Sequence, residues 1–125
     1  MINCYSMLSI VVLASLFGCS TADLVRLRSD LTPKPQNCPL EIFAESSKVD
    51  RPSEDLCIID ARPGATRFSD QSMNGAIENA KQAACTCGAD AIIISGYDAG
   101  KSSFFEETQA RVKVKAIRFT GPKTK

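Results

Sequence analysis

Four cysteines constrain this chain more than any other feature. Cys38, Cys57, Cys85 and Cys87 are spread over its middle, and the last two stand one residue apart in "KQAACTCGADAII" (81–93). What they become depends on the element that carries them. From Asp70 to Cys87 the apolar residues recur with a helical period. Met73, Ile77, Ala80, Ala84 and Cys87 lie within about 40° of one line on a helix turning ~100° per residue. Ser69, Asp70 or Ser72 can cap its start, and Gly88 suits the left-handed residue that ends a helix. Cys85 and Cys87 therefore stand at a helix C-terminus. The dipole is negative there and disfavours a thiolate, and the sequence contains no histidine to act as a base. Thiol catalysis is disfavoured.

A zinc site is the second reading. The spacing lacks the C-x2-C pairs that usually hold zinc, and sulfurs two residues apart on a helix project about 200° apart. The third reading is covalent. Cysteines leaving a helix end in different directions need different partners, and only Cys38 and Cys57 remain. Cys87 lies on the apolar stripe and points to Cys57; Cys85 points away from it, to Cys38. The favoured pairs are Cys38–Cys85 and Cys57–Cys87, with Cys38–Cys87 and Cys57–Cys85 still open.

The rest of the chain divides around this core. At 125 residues there is room for one domain. The start, "MINCYSMLSIVVLASLFGCS", carries an apolar-rich run from Met7 to Phe17. Eleven residues are too few for a bilayer span of roughly 20, and suit the apolar region of an export signal over residues 1–18. "LFGC" (16–19) resembles a bacterial lipobox. The resemblance implies cleavage before Cys19, a lipid on its sulfur and an acylated (palmitate-type) N-terminus. Ser20 in the next position implies sorting to the outer membrane. Export also favours disulfides for the four remaining cysteines. Residues 19–37, with "TPKPQN", read as a tether; residues 38–120 read as the globular domain; residues 121–125 read as a tail.

Within the domain, "PLEIFAE" (39–45), "LCIIDA" (56–61), "DAIIISG" (90–96) and "QARVKVKAIRFT" (109–120) read as strands. The order β-β-α-β-β predicts an α+β fold: a small four-stranded sheet with one helix on one face, stapled by two disulfides. Strands two and three, joined through the helix, are expected to be parallel. Three successive isoleucines, Ile92 to Ile94, cannot alternate between core and solvent, so both faces of that strand are expected to be covered. The apolar phase changes at Ile117–Phe119, which implies a bulge or a change of surroundings.

Function classes narrow quickly. Without histidine, Ser-His-Asp and Cys-His machinery are absent. Glu54 and Asp55 read as solvated turn residues, Asp60 as a turn cap, and Asp90 as an acceptor for backbone amides. There is no glycine-rich phosphate loop. A net charge of +1 argues against general nucleic-acid binding. No small-molecule substrate and no cofactor are implied. The best binding feature is the stripe Arg111, Lys113 and Lys115, extended by Arg118, Lys123 and Lys125. It reads either as the solvent side of an edge strand, where lysines discourage pairing, or as a patch for lipid phosphates or an acidic partner. Phe104 and Phe105 read as core-closing residues or as a contact tip.

The segments "LEIFAE", "VDRPSEDLCIIDARPG", "NGAIENAKQAA" and "GADAIIIS", after a lipobox and a proline-containing tether, resemble the RcsF/YbjQ-like small bacterial lipoproteins over residues 39 to 119. RcsF-type members are outer-membrane sensors that report envelope damage to inner-membrane signalling proteins and associate with β-barrel machinery. They carry two non-consecutive disulfides at other motif positions, so no cysteine role transfers to Cys38, Cys57, Cys85 or Cys87. The YbjQ-like branch has been called heavy-metal-binding, and no ligand set here matches that label. The resemblance implies a non-catalytic, lipid-anchored domain that faces the periplasm and binds an envelope protein as a stress sensor. The rival is a metal-binding module built on the four cysteines.

Overall fold

The computed structural model describes residues 22–64, 72–98, 100–102, 107–108 and 110–124. The expected signal, the lipidation site Cys19, Phe104, Phe105 and Lys125 lie outside the described residues. The elements are β1 (Ala22–Arg26), β2 (Glu41–Phe43), a short 3-10 turn (Ser46–Lys48), β3 (Ser53–Ala61), α1 (Met73–Thr86), β4 (Ala91–Asp98), β5 (Lys101–Ser102), β6 (Glu107–Thr108) and β7 (Arg111–Phe119). The main sheet has five strands in the order β1-β3-β7-β4-β2; β5 and β6 form a separate antiparallel pair.

The α+β class, with one helix on a sheet and two disulfides, is as expected. The strand count and order are not. The additional strand, β1, comes from the segment read as tether. It pairs antiparallel with β3 from Ala22↔Ala61 to Arg26↔Cys57. Ala22 and Leu24 pack toward the core while Asp23 and Val25 face away. This alternation is short and interrupted by arginines, so it is weak against a proline-rich neighbour. The second correction concerns strands two and three. β3 and β4 do run in the same direction, but they do not touch: β7 lies between them, antiparallel to both. β7 is nine residues long with Val112, Val114, Ala116 and Ile117 buried, and the middle of the sheet pairs both of its edges while covering those side chains.

One face of the sheet carries the helix. Ala76, Ala80 and Ala84 are fully buried against Ile59, Ile92, Val112, Val114 and Ala116. Alanine at every fourth position leaves no side chain to hold the helix off the sheet, so α1 lies closely across β3 and β7. The isoleucine run divides as its length demands. Ile92 and Ile94 pack on the helix side. Ile93 packs on the other, with Ala91 and Ile117. That second, smaller cluster is covered by Phe43, Val49 and Phe119. The phase change at Ile117 is thus a change of surroundings: β7 keeps its alternation, and its far face becomes covered at that end. The bulge lies on the facing strand, at Leu56, where Asp55 pairs with Ile117 and Cys57 with Ala116.

The disulfides pair Cys38 with Cys85 and Cys57 with Cys87, with Cα–Cα separations of 5.9 and 6.6 Å. Their loops, 47 and 30 residues long, overlap in sequence. Cys85 is buried although it lies off the helix stripe. Residues 31–40 run across the helix end and cover it. This strap is held by the Lys34 amide donating to the Cys85 carbonyl at 2.8 Å, and by reciprocal bonds between Asn37 and Gln82 at 3.0 and 2.7 Å. Asn37 adopts φ 59°, a conformation its side chain tolerates. Leu31 and Leu40 pack onto the core. The folded unit therefore includes residues 22–40, ahead of the expected boundary at Cys38.

Candidate interaction face

The sheet's second face has no helix, and it carries the residues singled out above. Register places them in rows across the strands. One row is Val25–Ile58–Lys115–Ile93–Phe43. Its outer end is apolar and open to solvent, with Val25 60% and Ile58 37% exposed, while Ile93 at the covered end is 6% exposed. The next row is Asp23–Asp60–Lys113–Gly96. Arg111 stands opposite Asp98 beyond it.

Arg111, Lys113 and Lys115 thus belong to the central strand of the sheet. The edge-strand explanation for the stripe does not apply, because β7 is paired on both sides. The stripe is also largely neutralised. Arg111 bonds both Asp60 oxygens, at 3.0 and 3.4 Å, and Lys115 reaches Asp55 at 3.4 Å. Lys113 has no ion-pair partner among the described residues. The surface is a mixed-charge face with an apolar outer patch, rather than a uniformly basic one. Exposed pairs of this kind contribute roughly 0–1 kcal/mol each to stability, which leaves their arrangement free to serve recognition.

A bulge in β4 shapes this face. The register shifts between Ile94 and Gly96, and Ser95 there donates its hydroxyl to the Lys113 carbonyl at 3.0 Å. A Cβ placed on Gly96 would meet nothing within 4 Å. The result is an open depression of about 370 Å³ lined by Asp60, Ser95, Gly96, Tyr97, Asp98, Arg111 and Lys113. Tyr97 borders it and is 76% exposed, but stands opposite Val112 in the register, on the row that faces the helix side.

The remaining candidate residues have structural work. Glu54 and Asp55, expected in a turn, belong to β3, which starts at Ser53. Glu54 binds Arg28 at 2.8 Å and Arg118 Nε at 2.6 Å, joining the strap's entry to β7. Asp90, expected to accept amides within the turn after the helix, instead accepts the Phe119 amide of β7 at 3.0 Å and pairs with Lys34 at 2.5 Å. Burial works against its charge. The Lys34 ammonium, the Phe119 amide and the more distant Arg118 outweigh that and hold the Asp90 carboxyl below the usual carboxylate range. Lys123 approaches Asp50 at 3.8 Å. Arg51, which sequence reasoning passed over, lies 3.9 Å above the Phe119 ring and binds Glu41 at 2.6 Å, closing the covered end of the face.

The cysteines stand apart from this face. A sulfur in a disulfide has no thiolate lone pair to offer a metal as these thiols would. No cluster of three potential metal-ligating side chains occurs among the described residues. No helix among them is long and apolar enough to cross a membrane. What the geometry defines is a disulfide-clamped α+β domain, helix-covered on one face and open on the other. No protein-family model, curated protein or solved structure matches the chain.

Proposed function

We propose that this protein is a non-catalytic, lipid-anchored domain that faces the periplasm from the outer membrane and binds an envelope protein through the open sheet face, in the manner of the RcsF-type stress sensors its segments resemble. The observation that carries the reading is the face itself. A central strand presents charged side chains beside the exposed pair Val25 and Ile58, while the covered end supplies rigidity. Protein interfaces combine exposed apolar contacts with polar and charged groups, and this face offers both. Two buried, overlapping disulfides suit an oxidising compartment, and the "LFGC" motif supplies the anchor.

Intact mass spectrometry of the exported protein tests the first half. The expected product starts at Cys19, carries acyl chains, and is four hydrogens lighter than the reduced form. Cys19→Ser should abolish acylation; an unacylated wild-type product rejects the anchor. Photo-crosslinking tests the second half. A crosslinker at Ile58 is expected to give one discrete adduct in intact envelopes, and the same group at the helix residue Glu78 none. Equal adducts from both positions would reject the face.

A further inference from the structure

We propose that the depression over Gly96 is a receptor for a single carboxylate side chain from a protein partner, held by Lys113. This rests on the reading of the open face as a protein-binding surface and names the chemistry that face selects.

The row Asp23–Asp60–Lys113–Gly96 explains why. Two carboxylates stand side by side on neighbouring strands, and each is drawn to its own arginine: Asp23 to Arg62 at 3.0 Å, Asp60 to Arg111 at 3.0 Å. The natural cross-strand partner of Lys113 is thereby taken. On its other side stands Gly96, which has no side chain to offer. Asp98 is turned to the Gly100 amide at 2.9 Å, where it closes the turn after β4. Lys113 is left as an ammonium beside empty space, with Arg111 on the same face. An incoming carboxylate there replaces water around a cation that makes no ion pair among the described residues, and gains a charge-assisted bond. Arginine, here Arg111, is also a residue type that concentrates binding energy at interfaces.

Charge separates a protein from a membrane as the source of that anion. Lipid headgroups attract runs of uncompensated basic residues. This face sets Arg111, Lys113 and Lys115 among Asp23, Asp55, Asp60 and Asp98, so an anionic bilayer is repelled as much as it is drawn. A protein surface can place one carboxylate at Lys113 and keep its other negative groups clear of the neighbouring aspartates.

The test uses the full exported chain, isotope-labelled and held in detergent. Two blocked tetrapeptides serve as probes: acetyl-Leu-Asp-Leu-Lys-amide, and the same peptide with Asn for Asp. The aspartyl peptide is expected to give saturable shifts confined to Ser95–Asp98 and Arg111–Lys113. The asparaginyl peptide and Lys113→Gln should each bind about tenfold more weakly or not at all. Gly96→Val, which fills the depression with a strand-compatible side chain, should block binding without lowering the melting temperature. Lys123→Gln should change nothing. Equal shifts from both peptides, or no saturable shift, overturn the proposal. So does phosphatidylglycerol-vesicle binding that depends on Lys113 while the peptide does not bind. A missing acyl group would reject the anchor and leave this titration readable; a failed titration in an anchored protein would reject only the carboxylate receptor.

Discussion

Gly88→Ala probes the structure where strap, helix end and disulfide meet. Gly88 has φ +78°, and a Cβ built on it would stand 2.3 Å from the Thr32 carbonyl oxygen. Two costs follow. The left-handed conformation costs a residue with a Cβ about 1–2 kcal/mol. The steric contact is with backbone, so the strap itself has to move. The nearest tie is the Lys34 amide to the Cys85 carbonyl, whose loss costs about 1 kcal/mol net. The Cys38–Cys85 bond keeps the strap from leaving altogether, so the displacement stays local. The expected sum is about 2–3 kcal/mol, a large effect for one methyl group. Urea unfolding under oxidising conditions should show a lower midpoint with an unchanged slope. Hydrogen exchange should quicken at Lys34 while Val112 and Val114 keep their relative protection. A midpoint within error of wild type would refute the argument, because it would mean the strap is not seated against the helix end.

Further outcomes follow from other parts of the fold. Replacing both Cys38 and Cys85 by alanine should cost about 4 kcal/mol, and replacing Cys57 and Cys87 about 3.5 kcal/mol or more, from loops of 47 and 30 residues; denaturation of the two double variants measures this. Asp90 has a folded pKa below its unfolded value of about 3.9, so its contribution is complete above that value and is lost as pH falls through the lower folded one. Asp90→Asn should therefore destabilise the protein at neutral pH and flatten the acid limb of a pH–stability curve. Ile117→Ala should cost about 2–4 kcal/mol, because Ile117 is fully buried under Phe43 and Phe119, whereas Ile58→Ala on the same face should cost under about 1 kcal/mol in thermal unfolding.

Much of this protein was legible from local chemistry. The helix declared itself through its apolar period and Gly88, and the alanines announced a close approach to a sheet. Cysteines on opposite sides of a helix end narrowed the pairings to two, with the one adopted already favoured. These features depend on spacing along the chain, which a sequence records directly.

Other features depend on distances between segments far apart in sequence, and only the packed chain decided them. Residues 22–26 became a strand because β3 had a free edge, and nothing in "ADLVR" specifies that edge. β7 took the middle of the sheet and turned an apparent edge stripe into the centre of an open face. Asp60 and Asp55 then claimed Arg111 and Lys115, and the bulge at Ser95 set Gly96 beside Lys113. Charge along the chain was readable from the start. Which charge would be left without a partner depended on strand order and register, and those follow from satisfying every edge at once.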